Sequence, residues 1–405
     1  MLRLPPLLVS AGRAAMPAIA LVFAAGTACS QKAQPSEAPA PPVKVAATAP
    51  VAAPAVAPAP AKAAQPAALP AAAPNAPAGD QPTWRRGEIA RLAWGQGAQA
   101  LGRFQGSEQN PTAPMAIAAD GQGGLWVLDQ LNTRVVRLDA ATQRLVGDVQ
   151  VPVAAAQDLA LVEAPGPDAP SAIPAVVRSL LVLDRLVDGV VVALDPVSGR
   201  EQFRLDLRGD GQPVRDPAAS PGPTGIAFGG GVTGLFVHDG AIFAEWAHVA
   251  CHRLGAFDGS RSGLGQTLAA RPGHDGASAY GLERVGDHVV VRVHDLRQSG
   301  ASAPRLQAGV RFPAPVFAVR SLDGAADGGA WMAVNTLLED DAGAIVREGL
   351  EVVRLGPDGS VQYRDGALLE QGPHEQMRTF SLGRDGSYWH LARRDEGVII
   401  ERWTR

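Results

Sequence analysis

Six apolar runs in this 405-residue chain each end on a side chain that can bind or ionise. Asp129 follows LWVL, Asp184 follows LLVL, Glu245 follows IFA, His294 with Asp295 follows VVVRV, Asn335 follows WMAV, and Arg393–Arg394 follow the run that contains His390. Carboxylates, an amide, imidazoles and guanidinium groups set at one station of a repeat could converge on a polar ligand. They could also supply oxygen and nitrogen donors to a single divalent cation. An Asp followed by a short polar loop commonly accepts hydrogen bonds from that loop's own backbone, so Asp129 and Asp184 have a turn-forming role available to them. Glu245 and Asn335 depart from that turn chemistry and read as ligand contacts. Trp246 and His248 follow Glu245 and add an aromatic wall beside a carboxylate. The candidate ligand-binding residues are therefore Glu245, Trp246, His294, Asn335, His390 and Asp129.

Other chemistries are poorly served. The eight histidines are scattered, and none lies in an HExxH spacing. His248 and His252 are four apart, which on a strand places them about 13 Å from one another, too far to share an ion. A metal held by histidines brought together from distant segments stays open. No GxSxG elbow activates a serine, and no glycine-rich turn opens a helix to cradle phosphate. The Asp-Gly pairs at 120, 239, 323, 358, 365 and 385 fall mostly where hairpin turns are needed, without the alternating oxygen ligands of a calcium loop. Formal net charge is −4, and all three lysines (Lys32, Lys44, Lys62) lie near the front of the chain. No basic cluster suits nucleic acid.

The elements that would position these residues are short strands. Residues 113 to 139, APMAIAADGQGGLWVLDQLNTRVVRLD, read as strand, hairpin, strand, loop, strand. Weaker copies begin near Gln157, at 233 to 254, at 280 to 295, at 316 to 365 with a polar insertion from Thr336 to Gly349, and at 379 to 403. A repeat of 40 to 50 residues with four strands per unit predicts an all-β, six-bladed β-propeller of four-stranded antiparallel blades over residues 83 to 405. PTGIAF, within the long segment 208 to 232, is available as an extra first strand, and five or seven blades fit the same spacing. The last copy stops one strand short. An open edge would leave a ladder of backbone groups unpaired, so RLAWGQGAQALGRFQG (91 to 106) is expected to supply the outer strand of the sixth blade and close the ring.

Asp129, Asn132 and Arg134 between two strands resemble the NHL-repeat family. The resemblance implies a protein, peptide or glycan ligand on a propeller face, and a binding rather than catalytic role. Six-bladed relatives also include calcium-dependent lactonases and metal-dependent lyases with one cation at the channel mouth. That alternative would draw ligands from Glu245, Asn335, Asp129 and His294, with calcium or zinc as the cofactor; the preferred reading needs none.

Residues 1 to 28 read as an export signal, with Arg3 and Arg13 ahead of AAMPAIALVFAAGTA. Gly26-Thr27-Ala28-Cys29 resembles a bacterial lipoprotein cleavage site, which implies a lipidated Cys29 and a membrane anchor in the cell envelope. Residues 29 to 82 are nearly all Ala, Pro, Gln and Val, a composition with little to bury that predicts a disordered linker. Cys251 is the only other cysteine and reads as a small packed strand residue. A monomer held to the membrane only through its lipid is expected.

Overall fold

The computed structural model describes residues 83–106, 112–164, 176–207, 232–246, 250–261, 266–268, 270–296, 303–371 and 376–405. The export signal, Cys29, the linker, PTGIAF, His248 and His374 lie outside the described residues.

Six antiparallel sheets follow one another along the chain. Blade 1 comprises Ala116–Ala119, Gly124–Asp129, Arg134–Asp139 and Arg144–Gln150. Blade 2 comprises Asp158–Ala164, Val176–Asp184, Val190–Leu194 and Glu201–Asp206. Blade 3 comprises Val232–His238, Ala241–Trp246, Ala250–Ala256 and Thr267–Leu268. Blade 4 comprises Arg271–Pro272, Ser278–Val285, His288–Asp295 and Leu306–Arg311. Blade 5 comprises Val316–Gly324, Ala330–Glu339, Ile345–Leu355 and Val361–Gly366. Blade 6 takes Phe380–Leu382, Tyr388–Arg394 and Gly397–Thr404 from the C-terminus and Arg85–Trp94 from the other end of the chain. The first strand of each blade touches the first strand of the next, all the way round, so these strands line the axis. No helix occurs among the described residues.

The runs are continuously apolar rather than alternating because both faces of an inner strand are buried. Leu125 and Val127 pack toward blade 6, while Trp126 and Leu128 on the opposite face pack toward blade 2. Each interface between neighbouring blades thus has its own core. The thinnest among the described residues is the cluster of Ala241, Phe243, Cys251 and Leu268 at the edge of blade 3.

Ring closure occurs as the missing strand required, with a shift along the chain. Arg85–Trp94 runs antiparallel to Gly397–Thr404, with Ala90 opposite Ile400 and Leu92 opposite Val398. The segment expected to close the ring, 91 to 106, contributes only its first residues. Leu101 sits in a two-residue strand parallel to Trp94, and Phe104 forms an isolated bridge with Thr112. Arg85, Arg86, Glu88 and Arg91 face solvent on the outer strand, which hid its pairing role behind charge.

A second correction concerns blade 4. Its first strand is only Arg271–Pro272, too short to show as an apolar run, so the strand read as second, His288–Asp295, is in fact third. His294 therefore lies opposite Ala279 at the start of the second strand, on the rim away from the other stations.

Candidate functional site: the axial cavity

Adjacent strands run antiparallel, so the end of each second strand lies beside the start of its first strand. Ala116 faces Leu128, Asp158 faces Leu183, Val232 faces Trp246 and Phe380 faces His390. Asp129, Asp184, Glu245, Asn335 and Arg393 therefore occupy the rim where first strands begin, and there all are engaged locally except Asn335, whose buried Oδ1 meets no donor among the described residues.

Asp129 is fully buried and accepts hydrogen bonds from Gly102 N (2.9 Å), Asn132 Nδ2 (2.7 Å) and Arg134 Nε (3.0 Å). Its donors from the loop are side chains rather than the loop's own backbone. Arg134 also donates to Ala100 O (2.7 Å) and Gly97 O (3.1 Å). The Asp129–Asn132–Arg134 group thereby fastens blade 1 to the segment that follows the closing strand. Asp184 does accept from its own loop, at Leu186 N and Val187 N, and also takes Ala155 N. Glu245 is gripped by Arg271 through Nε and a terminal nitrogen and accepts from the Thr233 hydroxyl (2.9 Å). Trp246 is packed in the core between blades 2 and 3. His390 is stacked on Phe380 at 4.1 Å, with Nδ1 2.9 Å from Glu401 Oε2. Asn335 is buried in the middle strands of blade 5, between Ala318 and Leu350. These side chains are not brought round a common space. Among the described residues no three His, Cys, Asp or Glu side chains converge as a metal-ligand set.

The axial space opens at the other rim, where first strands end and second strands begin. A cavity of about 600 Å³ lies there, within the size range of small-molecule sites. Its ionisable wall comes from five blades and includes Glu163, His238, Arg253, His274, Asp323, Arg378 and Arg384, with Asp239 beside His238. Asp239 and Gly240, with φ of 45° and 71°, make the two-residue hairpin that sets His238 at the edge.

At the mouth, Arg384 Nε is 2.7 Å from Glu163 Oε2, and Gly121 N donates to Glu163 Oε1 at 2.7 Å. Burial raises the Glu163 carboxyl above the usual range, although Gly121 and Arg384 pull the other way. His274 is open to the cavity solvent but walled in by protein. That enclosure, with Arg384 nearby, pushes its imidazole below the ordinary value. His238 is lowered in the same direction by burial, with Asp239 and Asp275 opposing.

Deeper, Arg378 donates to Asp158 Oδ2 at 2.8 Å and to Leu235 O at 2.5 Å, joining the start of blade 6 to blades 2 and 3. Asp158 also accepts from Leu235 N (2.7 Å) and Leu159 N (2.9 Å). The Phe236 ring lies between two guanidinium groups, Arg378 at 5.0 Å and Arg271 at 5.5 Å from its centroid.

None of these cavity residues belonged to the sequence-derived ring. His238, His274 and the Asp-Gly pairs at 239 and 323 were visible as residue types. The signal that unites them is their common position at first-strand ends, one hairpin away from the stations compared above.

No protein-family model matches the sequence, and neither does any curated protein. Among solved structures, hydrazine synthase of Kuenenia stuttgartiensis aligns with a TM-score of 0.41 and 14% identity over 72% of this chain and 80% of that one. Virginiamycin B lyase from Staphylococcus aureus aligns with 0.39 and 11% over 80% and 100%. A calcium-binding protein, regucalcin of Agrobacterium tumefaciens, aligns with 0.36 and 14% over 71% and 90%. The chain's place among six-bladed β-propellers rests on its own strand order and ring closure.

Proposed function

We propose that this chain is an exported, lipid-anchored, NHL-like β-propeller that binds a small polar ligand in its axial cavity at the cell envelope. The observation that carries the reading is the cavity of about 600 Å³, walled by ionisable side chains from five blades. Polar groups converging from separate blades on one concave space are what orients a ligand and selects it. Asp129, Asp184, Glu245 and Arg393 on the opposite rim are spent on internal contacts, which favours the cavity face as the binding face. Export and anchoring are supported by the Arg-flanked apolar front, Gly26-Thr27-Ala28-Cys29 and the Ala/Pro-rich stretch that follows. The NHL-like assignment is supported by Asp129, Asn132 and Arg134 acting together.

The ligand test uses the full chain and a panel of saccharides, amino acids, short peptides and nucleosides read by saturation-transfer NMR. At least one class is expected to bind saturably, and His274→Trp, which places bulk at the mouth, is expected to block it. Binding indifferent to that substitution, or no binding by any class, overturns the reading. For the anchor, Cys29→Ala is expected to move the protein from the membrane to the soluble envelope fraction. Mass spectrometry should find acyl chains on the wild-type N-terminal cysteine.

A further inference from the structure

The cavity wall includes a carboxylate, Asp323, that forms no ion pair among the described residues. Two guanidinium groups act on it, and each is held by another carboxylate: Arg378, on the cavity wall, pairs with Asp158, and Arg271 pairs with Glu245 through two nitrogens. Asp323 is a third carboxylate within reach of the same two cations. Its Oδ2 is buried and meets no hydrogen-bond donor among the described residues. The Ser321 hydroxyl pairs with Tyr388 and also favours the ionised form of Asp323. Both guanidinium groups are thus held by other carboxylates, and Asp323, whose side chain lines the cavity, forms no ion pair of its own among the described residues. A buried charge without a partner is costly, so the site favours either a proton or a cation brought from outside. A hard metal ion needs several oxygen ligands in one place, and no such set converges here among the described residues. A protonated amine needs only one carboxylate as its charge partner and brings its own directed donors.

We propose that Asp323 receives the ammonium group of a small polar ligand, so that the cavity is selective for compact primary amines whose remaining polar groups reach the mouth at His274 and Arg384. This deepens the binding function proposed above and rests on it. Amino sugars and the free N-termini of short peptides share that chemistry, and both fit a space of about 600 Å³.

Isothermal titration of the full chain at pH 7.5 with glucosamine and glycylglycine, each paired with its N-acetylated counterpart, separates these sources and tests the amine itself. One or both free amines are expected to bind. The N-acetylated partner should bind at least about tenfold more weakly, since a hydrogen bond to a charged group accounts for a difference of that order. Asp323→Asn should weaken the free amine by a similar factor. The proposal is overturned if acetylation makes no difference, if sodium or calcium ions reproduce the heat, or if Asp323→Asn binds the amine as wild type does. The acetylation comparison needs no variant, so it stands even where Asp323→Asn folds poorly. If the amines fail while another class binds and His274→Trp blocks it, the amine assignment falls and the cavity reading survives. If nothing in either panel binds, both fall.

Discussion

Arg378→Met offers the most direct measurement of how the propeller is tied together at its axis. Asp158 is fully buried and keeps two backbone donors, Leu235 N and Leu159 N, when the guanidinium is removed. Removing one partner of a buried ion pair typically costs about 3–5 kcal/mol, because the other charge is left uncompensated. The lost stacking of the guanidinium on Phe236 adds about 0.5–2 kcal/mol, which the methionine stem partly offsets by packing on the same ring. A net loss of about 3–5 kcal/mol is expected. A domain of 150–250 residues shifts by about 2–4 °C per kcal/mol, and this body is somewhat larger, so the thermal midpoint should fall by roughly 6–10 °C. The pH dependence has a definite sign. Burial raises the Asp158 carboxyl above its ordinary value even with Arg378 beside it, and loss of Arg378 raises it further. A carboxyl whose folded pKa exceeds its unfolded pKa favours folding most at low pH, and that contribution is lost as pH rises through the folded value. The deficit of Arg378→Met should therefore widen from pH 5 to pH 8. Scanning fluorimetry and urea titration across that range measure it. The double variant Asp158→Asn/Arg378→Met should recover at least half of the loss at pH 8. A deficit flat with pH, or a double variant no better than the single one, would refute the charged tie assigned to Arg378 and Asp158.

Three further outcomes are expected. Gly397 has φ of 152°, and a Cβ there would sit 2.3 Å from Leu92 O on the closing strand; Gly397→Ala should cost on the order of 2 kcal/mol and accelerate hydrogen exchange in Arg85–Trp94 ahead of the other blades. Burial pushes the Cys251 thiol up, with Glu245 adding to the effect, so iodoacetamide at pH 8 should leave it unmodified in the native protein and alkylate it once urea unfolds the chain. Burial also raises the Asp323 carboxyl, so without ligand the wild type should lose stability as pH climbs above the ordinary carboxylate range while Asp323→Asn does not; parallel midpoint profiles of the two proteins between pH 4 and pH 8 would contradict an ionised Asp323 without an ion pair of its own.

The blades were legible because both faces of their inner strands are buried, which makes runs such as LWVL, LLVL and WMAV stand out between turn residues. Closure was legible as a necessity, from the missing strand, but its residues were not. An outer strand with one solvated face reads as RRGEIARLAW, where four charges break up the apolar positions. Blade 4 was misread for the opposite reason: Arg271–Pro272 is too short to carry a period, and the error passed directly to His294. The site was less legible than the fold. Side chains at second-strand ends looked functional because they are polar at a repeated position. Burial answers that position with partners from the same or the neighbouring blade, as Asp129 and Glu245 show. Cavity residues such as Arg378 and Glu163 sit in segments with no repeated motif, and only closure of the ring brings them together.

The two rims of the propeller accordingly answer different demands. Where first strands begin, Asp129 and Arg134 tie blade 1 to Gly97, Ala100 and Gly102, and Arg393 holds Glu370 of the segment ahead of blade 6. Where first strands end lies the cavity, crossed at its mouth by Arg384 and Glu163. The chain also enters its described fold on this second rim. Trp84 lies edge-on to Trp331 at 4.8 Å, and Arg85 pairs with Thr404 beside the start of the strand Tyr388–Arg394. Strand Arg85–Trp94 thus serves both ends of the molecule: its hydrogen bonds seal the ring, and its first residue fixes where the preceding segment joins. A substitution that frees this strand should loosen the cavity rim together with the closure. Loss of ligand binding in Gly397→Ala at temperatures well below its midpoint would reveal that coupling, whereas unchanged affinity there would show that the site holds without a tight closing strand.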